Sequence, residues 1–134
     1  MSFEIEIFGE PTPQGSKRLM RGRIIEASSE KLKKWRRAIA DACQANRKET
    51  DEFFIGPVAV EATFYLARPK SVKADKRPLP IVPPDVDKLA RGLLDGIGQS
   101  EMIWGDDSQV IDLKVVKVYA DGREPGASVR ITAL

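Results

Sequence analysis

Asp85 and Asp87 stand two residues apart in PPDVDKLARGLLDGI, residues 83–97, behind two prolines and at the mouth of an apolar helical stripe. Carboxylates this close repel each other, and a fold tolerates them where a cation sits between them. A second acid pair, Asp106 and Asp107, lies in WGDDSQV, residues 104–110. In extended chain, residues i and i+2 point the same way, so Asp85 and Asp87 can converge. Asp106 and Asp107 then point to opposite faces, and only one of them readily joins the first pair. Three carboxylates suit a hard cation such as Mg2+, which takes oxygen ligands from protein, water and substrate phosphates. Such an ion lowers the pKa of a water and neutralises charge on a phosphorus under attack. A plainer reading stays open, with Asp87 as a helix N-cap and Asp85 as a solvated loop acid. Arg91, one turn after Asp87, can pair with that carboxylate or touch the scissile phosphate.

Composition removes most other chemistry. The 134 residues include one cysteine, Cys43, and no histidine. That excludes an internal disulfide, a Cys/His zinc site, a Ser-His-Asp or Cys-His nucleophile and any histidine base. Cys43 falls on the apolar side of a predicted helix and reads as a small core residue. The chain is 42% hydrophobic and 31% charged, as expected of one globular domain. No apolar run approaches the roughly 18 residues of a membrane span. The N-terminus lacks the pattern of a signal peptide, so the chain reads as intracellular, cytoplasmic and free of membrane.

The net charge of +2 conceals an asymmetry. Between Gln14 and Lys48, eleven Lys and Arg stand against three acids; between Gly92 and Asp112, five acids stand with no base. A basic half that holds phosphates beside acids that hold a metal suits an enzyme acting on a polyanion.

The elements that must position these groups follow from periodicity. SFEIEIF, residues 2–8, alternates as a half-buried strand. GEPTPQGSKRLMRGRI reads as a loop whose bases Lys17, Arg18, Arg21 and Arg23 are candidate DNA contacts. RIIEA, residues 23–27, is a candidate short strand. Residues 28–48 form the best helix, with Leu32, Trp35, Ile39, Ala42 and Cys43 on one face. Its bases, among them Lys33, Lys34 and Arg37, form either a solvated face or a DNA contact. Residues 56–68 alternate as a strand. RPKSVKADKRPLPIVPP, residues 68–84, with five prolines, predicts a mobile basic loop carrying Lys73, Lys76 and Arg77. Residues 108–120 and ASVRITA predict two more strands. Lys114 and Lys117 face opposite sides of the first, so at most one joins the site. Trp104 and Tyr119 read as packing residues before base-stacking ones. The result is a single α+β (mixed α/β) domain of two helices and four or five strands, without internal repeats.

The series D-x-D-K-L, R-x-L-L-D-G-I and W-G-D-D-S-Q-V, followed by a strand containing K-V-V-K, resembles the RusA-type Holliday junction resolvases. The likeness extends more loosely over the first strand, the G-x-P-x-P-Q-G-S-K-R loop and the basic first helix. It implies a small homodimeric endonuclease, often phage-borne, that nicks two opposing strands of four-way DNA junctions using Mg2+ or Mn2+, with no organic cofactor. The family's catalytic acids fall on Asp85, Asp87 and Asp107, with Asp95 and Asp106 supporting. Its functional lysine falls on Arg91, a departure: arginine keeps the charge but cannot give up a proton. Lys88 is the nearby alternative. Paired cuts about a two-fold axis call for two sites related the same way, which a C2 dimer supplies. Other readings stay open: a nuclease of flaps or other branched DNA, a non-catalytic DNA-binding dimer, a nucleotide phosphoryl-transfer enzyme, or a structural protein.

Overall fold

Alternation of apolar residues builds the sheet, and two amphipathic helices cover one of its faces. The computed structural model describes residues 1–15, 17–20, 23–26, 29–48 and 50–134, with the backbone path alone for 17–20, 23–26 and 29. Along the chain come β1 (Ser2–Phe8), β2 (Lys17–Met20), β3 (Arg23–Glu26), α1 (Ser29–Asn46), β4 (Val58–Leu66) and α2 (Val86–Ser100). A 3-10 turn (Asp107–Gln109), β5 (Val110–Tyr119) and β6 (Gly126–Ala133) complete it. The long strands form one mixed sheet in the order β1-β6-β4-β5. β4 and β5 run parallel, and the other neighbours are antiparallel. The fold is therefore the expected small α+β domain. One expectation needs correction: Lys17–Met20, read as loop, pairs with β3 as a separate hairpin.

Phe3, Ile5 and Ile7 of β1, Val58 to Phe64 at alternate positions of β4, and Val129 and Ile131 of β6 point into the core. Trp35 and Ile39 of α1 meet them there, with Leu89, Leu93 and Ile97 of α2. Burying side chains of this size contributes about 1.5–3 kcal/mol each before chain entropy is counted. Cys43 lies in this core, and burial pushes its thiol up to about 11, so it stays protonated and inert as a small apolar residue.

The helices run in the same direction. Leu32 sits beside Gly92, Ile39 against Gly96, and Gln44 Nε2 donates to the Ser100 carbonyl at 3.1 Å. Parallel strands need a crossover, and α2 is the one between β4 and β5. It therefore runs against both strands, with its N-terminus at their C-terminal ends. β1 ends there too, so one end of the molecule collects the start of α1, the start of α2 and the segment leaving β4.

α2 ends at Glu101, which adopts φ 58°, and its backbone N–H closes the last turn on the Gly98 carbonyl. A left-handed residue with a Cβ costs about 1–2 kcal/mol relative to glycine. Glu101→Gly is expected to raise stability by about 1 kcal/mol, read as a higher urea midpoint with an unchanged slope.

Candidate active site and nucleic-acid interface

The helix bearing the first acid pair begins earlier than the sequence suggests. Asp85, not Asp87, is the N-cap, in extended conformation and with no side-chain capping bond. Asp87 belongs to the first turn of α2. Pro84 ends the extended approach, and Val86 already has helical geometry, so the two acids are not i and i+2 of one strand-like segment. Both side chains are exposed. Lys88 Nζ lies 3.7 Å from Asp85 Oδ2, a half-exposed pair that contributes little to stability. Asp87 makes no hydrogen bond or ion pair among the described residues. Two carboxylates at a helix N-terminus are favoured there by the backbone dipole, which offsets part of their mutual repulsion.

Asp87, Arg91 and Asp95 follow one another at i, i+4 and i+8, so they form one stripe along α2. The P-x-P-Q-G segment is docked on this stripe. The Gln14 N–H donates to the Lys88 carbonyl at 3.0 Å, and the Gln14 amide donates to Asp95. Arg36 of α1 donates to Gln14 Oε1 at 3.1 Å and lies 3.9 Å from Asp95. Asp95 thus ties three segments together and supports the site by holding them in place. The Arg91 guanidinium lies over Gly15, which has φ +101°, and a Cβ at that glycine would stand 2.6 Å from Arg91 Nη1. Arg91 is exposed and lies one turn from Asp87 on the same face of α2, with its guanidinium over Gly15.

The second acid pair divides its roles. Asp106 caps the 3-10 turn by accepting from the Ser108 N–H at 2.9 Å. The Ser108 hydrogen bonds hold its carboxyl below the usual carboxylate range. Gln109 closes the box through the Gly105 and Asp106 N–H groups and donates to the Phe54 and Gly56 carbonyls. Trp104 is buried under this turn, as its reading as a packing residue requires. Asp107 is left exposed, with no partner among the described residues.

This turn is at the wrong end of the sheet to meet Asp85 and Asp87. It opens β5, whereas Lys117, seven residues along β5, holds the Val82 and Pro84 carbonyls at 2.8 Å each, just before Asp85. Seven strand residues span roughly 23 Å. The 15-residue α2 separates the two acid pairs by a similar length, about 22 Å at 1.5 Å per residue. Among the described residues no three acids of one chain stand close enough to hold a metal together. The convergence of all three acids within one chain is thus corrected by the crossover topology, which sends the ends of α2 to opposite ends of the sheet.

The basic groups gather at the Asp85 end. Lys33, Lys34 and Arg37 are exposed on the N-terminal half of α1. Lys33 has Glu30 at 3.7 Å. Lys17, Arg18 and Arg23 lie on the backbone path of the hairpin that follows Gly15, and Arg21 lies outside the described residues. Residues 68–84, expected as a mobile loop, are tied down at several points. Arg68 binds Asp121 through two nitrogens at 2.9 and 2.8 Å and donates to the Arg77 carbonyl at 2.6 Å. Arg77 Nε donates to the Tyr119 hydroxyl at 2.8 Å, so this base is half-buried, while Lys73 and Lys76 are exposed. The sequence reading missed Gln14 and Arg36 as organisers of the site and left open which of Lys114 and Lys117 joins it. For Lys117 the signal was the strand alternation, which did not say which face α2 would cover.

No helix among the described residues is long and apolar enough to cross a membrane. Comparison with known proteins shows the family. A Bacillus subtilis (strain 168) protein named "Uncharacterized protein YqaN" is 35% identical over 136 residues, covering 93% of this chain and 92% of that protein. The profile of the family described as Endodeoxyribonuclease RusA matches residues 9–132, a span containing Asp85, Asp87, Arg91 and Asp107. With residues 9–132 matched, this chain belongs to the RusA endodeoxyribonuclease family.

Proposed function

We propose that this chain is a divalent-metal-dependent endodeoxyribonuclease that resolves four-way DNA junctions by paired nicks, acting as a homodimer. The observation that carries the reading is the placement of Asp85 and of Asp87, which has no partner among the described residues, at the end of the molecule where the basic start of α1 and residues 68–84 lie. A surface built to hold phosphates gains nothing from two exposed acids unless a cation joins them to the substrate. The donor set is oxygen alone, with no histidine or cysteine near it, and Mg2+ needs only one or two carboxylates when phosphates and water complete its shell. A divalent cation held by Asp85 and Asp87, Mg2+ with Mn2+ as substitute, would supply charge neutralisation at the phosphodiester and acidify water.

The chain's own residues supply the rest. Lys34, Arg37, Lys73 and Lys76 hold phosphates of the junction arms as exposed point charges. Arg91, one turn after Asp87 on α2, is set to offset charge on the phosphate under attack but not to move a proton. Lys88 pairs with Asp85 at 3.7 Å, and a cation held by Asp85 would compete with that pair.

The test is cleavage of a labelled mobile four-way junction beside linear duplex and a flap, with Mg2+, with Mn2+ and with EDTA. Symmetric paired nicks that need metal are expected, with binding that weakens steeply as salt rises. Equal cutting of flap and junction would shift the substrate to branched DNA in general. Tight binding without cutting in either metal would leave a DNA-binding module.

A further inference from the structure

The segment that leads into the first acid pair raises two apolar side chains into solvent. In PLPIVPP, residues 78–84, Leu79 is 56% and Ile81 84% exposed, with Pro80 buried between them. Single exposed apolar residues are ordinary on a protein surface. These two are held out by a frame. On one side Arg68, just past the end of β4, donates to the Arg77 carbonyl at 2.6 Å and to the Pro78 carbonyl at 3.3 Å. On the other, Lys117 of β5 donates to the Val82 carbonyl at 2.8 Å. The residue before Leu79 and the residue after Ile81 are thus both fixed by cationic side chains. Pro78 and Pro80 have a fixed φ, and the Ile81 N–H closes on the Leu79 carbonyl at 2.9 Å. A short tip with so few free torsions loses little entropy when something covers it.

Its surroundings say what covers it. Lys70, Lys73 and Lys76 are exposed earlier in the same segment, and Asp85 follows Ile81 by four residues. Four residues span at most about 14 Å, which is about four base steps of duplex at roughly 3.4 Å each. A tip this close to the acids stands inside the footprint of any DNA whose phosphate is held there.

We propose that Leu79 and Ile81 select branched DNA by packing against the base pairs at the branch point. This deepens the junction reading above and rests on it. In a linear duplex every base step is stacked, and an apolar wedge must first unstack one. Where strands exchange, stacking is already interrupted, so the apolar face of a base pair is open to the tip at little cost. The lysines around the tip hold phosphates, which every DNA offers alike. They supply affinity, and the apolar tip supplies the difference between substrates. A tip free to fold aside would discriminate nothing, and the Arg68 and Lys117 bonds prevent that.

Binding measured in EDTA tests this without any need for cutting. The parent protein is expected to favour a four-way junction over linear duplex of the same length. Leu79→Ser combined with Ile81→Ser should lower that ratio roughly 10–100-fold, the equilibrium equivalent of burying one such side chain. Its duplex affinity, salt dependence and melting temperature should stay at the parent's values. Leu79→Met combined with Ile81→Met keeps the apolar reach and should keep the preference. Lys73→Ser combined with Lys76→Ser is the contrast: junction and duplex should weaken alike, with a shallower salt dependence. A serine variant with the parent's ratio, or a parent without junction preference, overturns the proposal. So does a serine variant whose assembly state changes in sedimentation, because the tip is then a contact between protein copies. A parent that binds junctions selectively but cuts no DNA in Mg2+ or Mn2+ ends the nuclease reading, and the ratio still decides the role of the tip.

Discussion

Asp87→Asn is expected to lower junction cleavage by ~10³-fold or more, equivalent to about 4 kcal/mol of transition-state stabilisation, while junction binding is kept or strengthened. Asp87 is exposed and makes no bond among the described residues, so its charge does little for the fold. The structural cost is the loss of a favourable carboxylate at the start of α2, about 0.3–1 kcal/mol. Removing one negative charge from a phosphate-binding surface also lowers repulsion for DNA, so binding should not suffer. The informative contrast is Asp95→Asn. That acid is engaged by Gln14 and Arg36, so its neutralisation should loosen the docked P-x-P-Q-G segment and lower thermal stability along with activity. Single-turnover nicking, gel-shift affinity and thermal melts on the same three proteins separate the two roles. Asp87→Asn protein that cuts at the parent's rate would remove the carboxylate site from the mechanism.

Gly96→Val should be the most damaging single change in the helical layer, costing about 3 kcal/mol. A Cβ at Gly96 would stand 2.8 Å from Ile39 Cδ1, 2.9 Å from its Cβ and 3.0 Å from its Cγ2. Ile39 is fully buried and stiff at its branched carbon, so it cannot swing clear. α1 and α2 would have to separate at their crossing, which opens the core against the sheet. Gly98→Ala, two residues on, is the control: its nearest foreign atom is Trp104 Nε1 at 4.0 Å. There the helix gains about 0.8–1 kcal/mol of propensity with no collision. Urea midpoints of opposite sign for two glycines of one helix are the expected result. Equal effects would mean that the helices re-space without cost. Because this crossing also fixes the basic face of α1 beside Asp87, a Gly96→Val protein that still folds should bind DNA more weakly.

Local pattern carried most of the fold. Strand alternation in SFEIEIF and VAVEATFYL and helical spacing from Leu32 to Cys43 set the elements to within two residues, because each one buries a single face against the same core. The chemistry available was also settled in the sequence. Without histidine, and with one buried cysteine, only carboxylates, lysines and arginines are left to act, and the acidic motifs by themselves pointed to the family. Local pattern misled where two rules competed. Asp87 has the residue type of an N-cap, but the prolines end at Pro84, so the helix takes Asp85 as its cap and begins at Val86. The bases of residues 68–84 looked uniformly solvated until Tyr119 and Asp121 were seen to engage Arg77 and Arg68.

Sequence by itself therefore determined which groups can react and which elements carry them. Only the tertiary structure decided which of those groups meet. The parallel pairing of β4 and β5 forces α2 to cross back over the sheet, and a helix of that length carries Asp85 and Asp107 to opposite ends of the sheet. Spacing along a chain says how many residues separate two acids; the direction of the connecting helix, set by a pairing of strand residues 52–53 apart in sequence, says whether they can touch.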